Sequence, residues 1–324
     1  SAVTDTPSQY PMNCSINKFK GQVYPVAYLT ICVVGFLSNG LSLIIFLKSY
    51  KKGSSVNIYM LNLLVSDLLL LCSLPFRAVY YLMECTWIFG DMMCRILSFA
   101  LYVNMYSSIF FLMALSIMRY LAIVHPYKYV KIRNSDGAKI VCAIVWVTVA
   151  AMSIPFLVFR SLEDKGKIKC LELNSANVVM ISKLNYVVLV PGFLVPFMTI
   201  VICYWFVVKN LQKHKENHKK SLHHQKSIAL VIIVTCMFLI CFLPYHIIRT
   251  VFLEIYKSYI SGNYDTCGPL NNIQKAAVFT HCLAASNSCL DPLLYLFVGE
   301  NFRSWWRKQK QSEELGKMNL KDQN

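Results

Sequence analysis

"MLNLLVSDLLLLCSLPFRAVYYL", residues 60–82, is one of several long apolar stretches in this sequence. A helix of about 20 mainly apolar residues is long enough to cross the hydrocarbon core of a bilayer. Stretches of this kind occur at residues 24–47, 57–82, 92–118, 138–159, 184–208, 227–253 and 275–298. The pattern predicts an all-α membrane protein, folded as a seven-helix transmembrane bundle.

The composition agrees with a chain surrounded largely by lipid. Of the 324 residues, 56% are hydrophobic and only 15% are charged, whereas soluble domains carry roughly a quarter of charged residues. The apolar stretches divide the chain into an extracellular N-terminal segment (1–23), a transmembrane domain (24–298) and a cytoplasmic tail (299–324).

The distribution of Lys and Arg predicts the orientation. The segments that follow runs one, three, five and seven hold 19 of these residues, and the segments on the opposite side hold 9. The richer side is expected to be cytoplasmic, which places the N-terminus outside. The net charge of +16 therefore mostly faces anionic lipid, and we expect no nucleic-acid partner. Asn13, in the triplet Asn13-Cys14-Ser15, is then a candidate glycosylation site.

Five cysteines lie on the side predicted to be outside, where disulfides form. They are Cys14, Cys85, Cys94, Cys170 and Cys267. We pair Cys94 with Cys170 and Cys14 with Cys267, which leaves Cys85 over. Spacing alone does not exclude a swap between these partners.

Charged residues toward the outer ends of two runs predict a binding site. A charge within a membrane costs about 2.5–3.5 kcal/mol on insertion scales, yet Arg77 and Arg249 have no acid partner within any run. Tyrosines and a histidine accompany them, and the candidate ligand-binding residues are Arg77, Tyr80, Tyr81, Tyr102, Tyr106, Tyr245, His246 and Arg249. Because arginine binds carboxylates in bidentate fashion, this set predicts a pocket for an external anion. The alternative is that an arginine, Arg249 in particular, extends to the lipid headgroups.

A second set of polar residues lies deeper in the runs. It comprises Asn39, Asp67, Asn104, Ser108, Asn287 and Asp291. Two carboxylates among amides and a hydroxyl suit a hydrated monovalent cation, because a divalent metal would require more fixed oxygens. Hydrogen bonding between helices without an ion explains the same residues equally well.

Several motifs resemble those of rhodopsin-like (class A) G-protein-coupled receptors. "GFLSNGL" around Asn39, "NLLVSDLLL" around Asp67, Trp146, "FLICFLPYH" and "NSCLDPLLY" follow in the order of that class, and "ENFRSWWRK" is similar to its short amphipathic eighth helix. Within the class, "SLPFRAVYYL", "YVNMYSSIFFL" and "CFLPYHIIRTV" look most like the cysteinyl leukotriene receptors.

The resemblance implies a plasma-membrane receptor whose agonist is an anionic lipid derivative. It implies coupling to a heterotrimeric G protein of the calcium-mobilising Gq type through movement of the sixth helix, with arrestin as a further partner. The residues implied in activation are Arg119, Tyr204, Tyr295, Ile109, Pro196, Phe238 and Phe242. A sodium ion held by Asn39, Asp67, Ser108, Asn287 and Asp291 would be an allosteric modulator, and no other cofactor is expected.

Other functions are weaker hypotheses. A receptor for another anion, such as a nucleotide, an oxo-acid or a lysophospholipid, is the main alternative. A retinal-linked light sensor needs a lysine in the seventh run, where the matching residue is Ala285. We predict no enzymatic activity and no catalytic residues, because no nucleophile–base pair or phosphate-binding loop is evident.

Overall fold

The computed structural model describes residues 14–49, 55–158, 161–164, 166–170, 172–173, 177–213, 222–263, 266–298 and 311. In chain order its elements are α1 (Asn17–Ser49), α2 (Ser55–Leu82), α3 (Gly90–Val124), α4 (Pro126–Ile132), α5 (Ser135–Ser153), α6 (Pro155–Val158), β1 (Leu162–Asp164), β2 (Lys167–Lys169), α7 (Val178–Leu189), α8 (Val195–Lys213), α9 (Leu222–Met237), α10 (Leu243–Ile260), α11 (Gly268–Ala285) and α12 (Asn287–Val298).

The apolar runs become seven helical spans. Spans 1, 2 and 3 are α1, α2 and α3; span 4 is α5 with α6, span 5 is α7 with α8, span 6 is α9 with α10, and span 7 is α11 with α12. Spans 1 to 6 contain helices that are long and apolar enough to cross a membrane. The predicted helical bundle is therefore confirmed for this part of the chain.

Span 7 is divided, although the sequence predicts one continuous run. The side chains of Ser286, Asn287 and Ser288 each donate a hydrogen bond to the carbonyl three residues earlier. Such bonds compete with the regular backbone pattern of a helix. Pro292 also lacks an N–H, which removes one helical hydrogen bond from α12. Local side-chain chemistry therefore explains the break between α11 and α12.

Spans 5 and 6 each contain a π-helical segment. In span 5 it covers Val190–Leu194, and in span 6 it covers Phe238–Phe242 and ends two residues before Pro244. The Phe193 and Phe238 rings of the two segments lie 6.2 Å apart, centroid to centroid. Segments of this kind insert an extra residue into a helix and often occur near functional sites.

The outer surface of the spans is apolar and the centre contains polar groups. Leu37, Val147 and Trp205 are 71%, 70% and 68% exposed, whereas Asp67 and Asp291 are fully buried. Apolar surface of this extent is explained by contact with lipid. Span 3 lies in the middle of the bundle and packs against spans 2, 4 and 5.

A small hairpin covers one end of the bundle. β1 and β2 pair antiparallel, with Leu162 opposite Lys169. The Trp87 backbone N–H donates to the Ile168 carbonyl over 2.7 Å, and the Asp91 carboxylate accepts from the Ser161 N–H and hydroxyl. This hairpin adds two short strands to the predicted all-α architecture.

Both predicted disulfides are confirmed, and the swap is excluded. Cys94 is bonded to Cys170, which joins span 3 to the hairpin segment. Cys14 is bonded to Cys267, which joins the segment before span 1 to the segment before span 7. Cys85 keeps a free, fully buried thiol in the same cluster as Cys94 and Cys170. Burial raises the pKa of this thiol to about 11, and the neighbouring Lys20 charge opposes that rise only in part. The thiol therefore stays protonated at neutral pH.

Three predictions fall outside the described residues. They are the glycosylation site Asn13, the eighth helix expected around "ENFRSWWRK" and the side chain of Tyr295.

Candidate functional site

A cavity lies between spans 3, 4, 5 and 6. Its free space, including the open side, is about 350 Å³. It is lined by Tyr102, Tyr106, Met152, Pro155, Phe156, Ile181, Leu184, Asn185, Val188 and Arg249. Six of these ten side chains are apolar: those of Met152, Pro155, Phe156, Ile181, Leu184 and Val188. The cavity therefore combines apolar walls with a single cation.

Arg249 is that cation, and its guanidinium faces an aromatic ring. The guanidinium carbon lies 5.2 Å from the centroid of the Tyr102 ring, a cation–π geometry. The Tyr102 ring is in turn stacked on Phe156, with 3.6 Å between centroids. Within the described ranges no carboxylate forms an ion pair with Arg249. Arg249 is half-buried and lines this cavity, which favours the binding-site interpretation over the alternative in which it extends to the headgroups.

Arg77 is buried and contacts a different set of residues. Its side chain is 4% exposed, and Nη2 donates to the Leu97 carbonyl over 3.1 Å. Its Nε has no hydrogen-bond partner among the described residues. The phenol of Tyr28 interacts with the guanidinium. Tyr24 and Tyr81 also interact electrostatically with the Arg77 charge. Arg77 is not among the residues that line the cavity around Arg249, so the two arginines have separate surroundings.

His281 lies within the influence of both arginines. The charges of Arg77 and Arg249 act on its partly buried ring, and so does that of Lys20. The ring contacts Tyr245, with 5.2 Å between centroids. Cationic groups from spans 1, 2 and 6 thus converge on span 7 at this level.

The other predicted ligand contacts are distributed over three places. Tyr102 and Tyr106 line the cavity. Tyr245 and His246 are buried behind it. The Tyr245 hydroxyl interacts with the Arg249 guanidinium but forms no hydrogen bond of good geometry, and the His246 Nε2 finds no partner in the described part of the chain. Tyr81 stacks on Tyr24 at 4.3 Å, next to Arg77. Buried polar atoms are normally bonded, so these unpartnered atoms mark places where a ligand or water would bind.

Tyr80 has a structural environment. Its hydroxyl donates to the Glu172 Oε1 over 3.2 Å, and its ring packs against Trp87. Glu172 also forms an ion pair with Lys169 of β2. Tyr80 therefore attaches the hairpin segment to span 2, and the structure does not bring it to the cavity.

The deeper polar residues form one buried cluster. Asn39, Asp67, Ser108, Asn287 and Asp291 are all fully buried. The Nδ2 of Asn39 donates to the Ser288 carbonyl, which joins spans 1 and 7. Asn104 donates to Asp67, and its Nδ2 lies 3.4 Å from Asp67 Oδ1.

Oxygen atoms in this cluster lack partners. They are Asn39 Oδ1, Asp67 Oδ2, Ser108 Oγ, Asn287 Oδ1 and both carboxylate oxygens of Asp291, with partners sought among the described residues. Asp67 and Asp291 act electrostatically on one another. Two adjacent buried carboxylates repel unless a cation or a proton lies between them. The donor set therefore fits a small cation, and a proton shared between Asp67 and Asp291 would satisfy the two carboxylates without an ion. No group of three or more acidic, His or Cys side chains that could hold a metal is found in the parts of the chain that the structure covers.

Most of the chain is similar to a known family of membrane proteins. The family described as 7 transmembrane receptor (rhodopsin family) matches residues 38–295. The chain belongs to this family of receptors.

Named relatives cover most of the receptor. It is 44% identical over 292 residues to cysteinyl leukotriene receptor 2 of Homo sapiens, across 90% of this chain and 82% of the relative. It is 42% identical to cysteinyl leukotriene receptor 1 of Homo sapiens, across 89% and 85% of the two chains. It is 35% identical to the uracil nucleotide/cysteinyl leukotriene receptor of Homo sapiens, across 85% and 73%. The resemblance seen in the motifs is confirmed: this is a multi-pass membrane receptor and not an enzyme.

The residues implied in activation occupy the core of the receptor. Ile109, Phe238 and Phe242 are buried in one hydrophobic cluster around span 3, and Pro196 is buried in α8. The Tyr204 hydroxyl is hydrogen-bonded to Ser116 Oγ at 2.8 Å, and the charge of Arg119 acts on Tyr204. Their roles in signalling stay predictions.

Two parts of the site are not predicted by the sequence. The first is the wall of the cavity supplied by spans 4 and 5, including Met152, Phe156 and Asn185. Its apolar members look like ordinary lipid-facing or core residues in the sequence. The second is the pair Tyr24 and Tyr28 beside Arg77. Their spacing of four residues places both on one helix face, a signal that could have predicted them.

Proposed function

We propose that this receptor binds cysteinyl leukotrienes in the cavity around Arg249. The observation that carries the proposal is a guanidinium without a carboxylate partner in the described chain, placed in a cavity whose other walls are mainly apolar. A cysteinyl leukotriene joins a long lipid chain to an amino-acid or peptide head. Its carboxylate matches Arg249, and its hydrocarbon matches the walls supplied by spans 4 and 5.

Arg77 supplies a second anion contact in this proposal. Its buried Nε lacks a partner among the described residues, and three tyrosines surround the group. A ligand with more than one carboxylate would place one near each arginine, and His281 would lie between them. The relatives named as cysteinyl leukotriene receptors support this ligand class.

A nucleotide is the second candidate. One relative is named as a uracil nucleotide/cysteinyl leukotriene receptor, and a phosphate would also bind an arginine. Of the ten residues that line the cavity, however, only Arg249 is cationic. Several phosphate charges need more compensation than one guanidinium, so the apolar walls favour the lipid derivative.

Signalling would follow from movement of span 6. Phe238–Phe242 and Pro244 interrupt its regular helix just below Tyr245 and Arg249. A ligand bound to Arg249 would draw α10 toward the bundle axis. Because the helix is interrupted at Phe238–Phe242, the opposite half of span 6, α9, would then swing away from the axis. That movement would expose Arg119, Tyr204 and Tyr295 to a heterotrimeric G protein, of the Gq type in this proposal, and later to arrestin. The N-terminus would face outward from the plasma membrane.

A sodium ion would act as the allosteric modulator of this equilibrium. Asn39, Asp67, Ser108, Asn287 and Asp291 would hold it through their unpartnered oxygens. The ion would compensate the repulsion between the two carboxylates and so stabilise the conformation in which they lie together.

A calcium-flux assay tests the function. Cells that express the full chain are exposed separately to cysteinyl leukotrienes, uracil nucleotides, small oxo-acids and lysophospholipids, with untransfected cells as the control. The proposal expects a response to leukotrienes at concentrations at least tenfold lower than to any other class. A response to nucleotides alone would assign the second function instead.

A further inference from the structure

Asn185 is the neutral polar side chain other than tyrosine that lines the cavity of Arg249. It lies on α7, in span 5, and faces α10 of span 6. Its Nδ2 donates to the Thr250 hydroxyl oxygen over 3.0 Å. Thr250 directly follows Arg249, so the amide is attached to the same turn of helix that carries the cation.

The orientation of the Asn185 amide is determined by Thr250. The Thr250 hydroxyl donates its hydrogen to the His246 carbonyl over 2.9 Å. A hydroxyl has one hydrogen, so Thr250 Oγ1 can only accept from Asn185. The amide must therefore direct its NH₂ group toward Thr250, because the reverse orientation would bring two acceptors together.

This arrangement leaves Asn185 Oδ1 as an acceptor. No donor among the described residues forms a hydrogen bond to it. None of the described residues that line the cavity is a carboxylate, and Arg249 is a donor only. A positively charged or N–H-bearing ligand group in this cavity would thus have the Asn185 carbonyl oxygen as its fixed acceptor.

We infer that Asn185 and Arg249 together recognise the amino-acid head of the ligand. Arg249 binds the carboxylate, and Asn185 Oδ1 accepts a hydrogen bond from the amino group on the adjacent carbon. Asn185 is the specificity-determining residue, and Thr250 is a positioning residue that fixes its amide. The inference rests on the proposed leukotriene function and adds to it a reason for selecting the cysteinyl head over an anion that lacks an amine.

The test uses two agonists and four receptors. The agonists are the leukotriene whose head is a single cysteine and its deamino analogue, in which hydrogen replaces the amino group. The receptors are the unmodified chain, Asn185→Leu, Thr250→Val and Thr250→Ser. Potency is measured by calcium flux, and surface expression is measured for each receptor.

We expect the effect of the ligand's amino group on potency to depend on the Asn185 amide. A hydrogen bond to a charged group is worth about tenfold or more in affinity, so the unmodified receptor should prefer the amino ligand by at least that factor. In Asn185→Leu this preference should fall to within about threefold, with the deamino ligand little affected. Thr250→Val should reduce the preference, and Thr250→Ser, which keeps the acceptor hydroxyl, should retain it.

Other outcomes overturn the inference in distinguishable ways. Equal preference in Asn185→Leu and in the unmodified receptor would exclude Asn185 as the reader of the amine while leaving the leukotriene function intact. If Asn185→Leu does not reach the surface, the contrast between Thr250→Val and Thr250→Ser decides the question in the same way. An unmodified receptor that responds to neither leukotriene would overturn the proposed function and this inference with it.

Discussion

The guanidinium carbon of Arg249 lies 5.2 Å from the centroid of the Tyr102 ring, and this ring is itself stacked on Phe156. Three spans therefore contribute to the placement of one charge: span 6 supplies the arginine, span 3 the tyrosine and span 4 the phenylalanine. Such a stack holds the guanidinium at the cavity and leaves its positive charge uncompensated. A carboxylate in the same place would neutralise that charge. The charge thus stays available to an anionic ligand.

The Tyr102 ring, more than its hydroxyl, should matter for agonist potency. Cation–π contacts are worth about 0.5–2 kcal/mol, so Tyr102→Leu should reduce potency by about threefold to thirtyfold. Tyr102→Phe keeps the ring and should stay within about threefold of the unmodified receptor. Calcium-flux titrations at matched surface expression measure both. If the phenylalanine variant lost as much as the leucine variant, the hydroxyl would be the group that matters.

Arg77→Ala should lower agonist potency at least tenfold without loss of surface expression. The reason is that its buried Nε lacks a partner in the described chain and that tyrosines, not acids, surround it. Arg77→Lys should lose nearly as much, because lysine cannot form the bidentate contact.

Arg95 provides the matched control for Arg77. It also lies near one end of a span, and its Nε also lacks a partner among the described residues. Its guanidinium, however, is paired with Asp91 at 2.6 Å and donates to the Leu157 carbonyl. Arg95→Ala should therefore affect the amount of folded receptor more than the potency of the agonist. Equal potency of Arg77→Ala and the unmodified receptor would remove Arg77 from the ligand site.

The sodium proposal predicts a salt effect that disappears with either carboxylate. In membranes, replacing an inert cation such as N-methylglucamine by sodium should reduce agonist affinity of the unmodified receptor severalfold. Asp67→Asn and Asp291→Asn each remove one charge from the cluster and should abolish the dependence. Lys139→Gln lies outside the cluster, in an exposed pair with Asp136, and should keep the dependence. A sodium effect that persisted in both Asn variants would place the ion elsewhere.

The sequence predicts the spans well because each depends on local composition. A run such as 60–82 is long, apolar and flanked by polar residues, and α2 covers Ser55–Leu82. The cysteines able to form disulfides could also be predicted, because only five lie toward one side of the membrane, but their pairing required the structure. The break between α11 and α12 is a smaller effect of three side chains on the backbone, which a count of apolar residues does not detect.

The composition of the site was only partly predictable. Arg77 and Arg249 are conspicuous because charges in apolar runs are costly. Their different surroundings depend on how each helix is rotated and packed, which a sequence period does not give. The Asn185 amide is inconspicuous in the sequence. Its possible role in ligand recognition follows only from its hydrogen bond to Thr250, which the sequence does not predict. Contacts between spans, and not the spans themselves, are what the sequence leaves undetermined.

Cys85 should be unreactive in the folded receptor despite lying on the side with the two disulfides. It is fully buried, and burial raises the pKa of its thiol to about 11. At pH 7.5 almost none of it is thiolate, the form that reacts with maleimides. The folded state also binds this proton more tightly than the unfolded chain, where the ordinary pKa is 9.0. Its contribution to stability is therefore complete below about pH 9 and is lost as the pH rises from there toward 11.

Peptide mapping after labelling measures this. An uncharged maleimide applied to the folded receptor at pH 7.5 should leave Cys85 unmodified, and the same reagent should modify it after unfolding without reduction. Cys94 and Cys170 should stay unlabelled in both samples, because their disulfide persists until a reductant is added. Rapid labelling of Cys85 in the folded protein would show that the cluster of Tyr80, Trp87 and the Cys94–Cys170 bond opens readily. The hairpin attached to it would then be a mobile cover and not a fixed one.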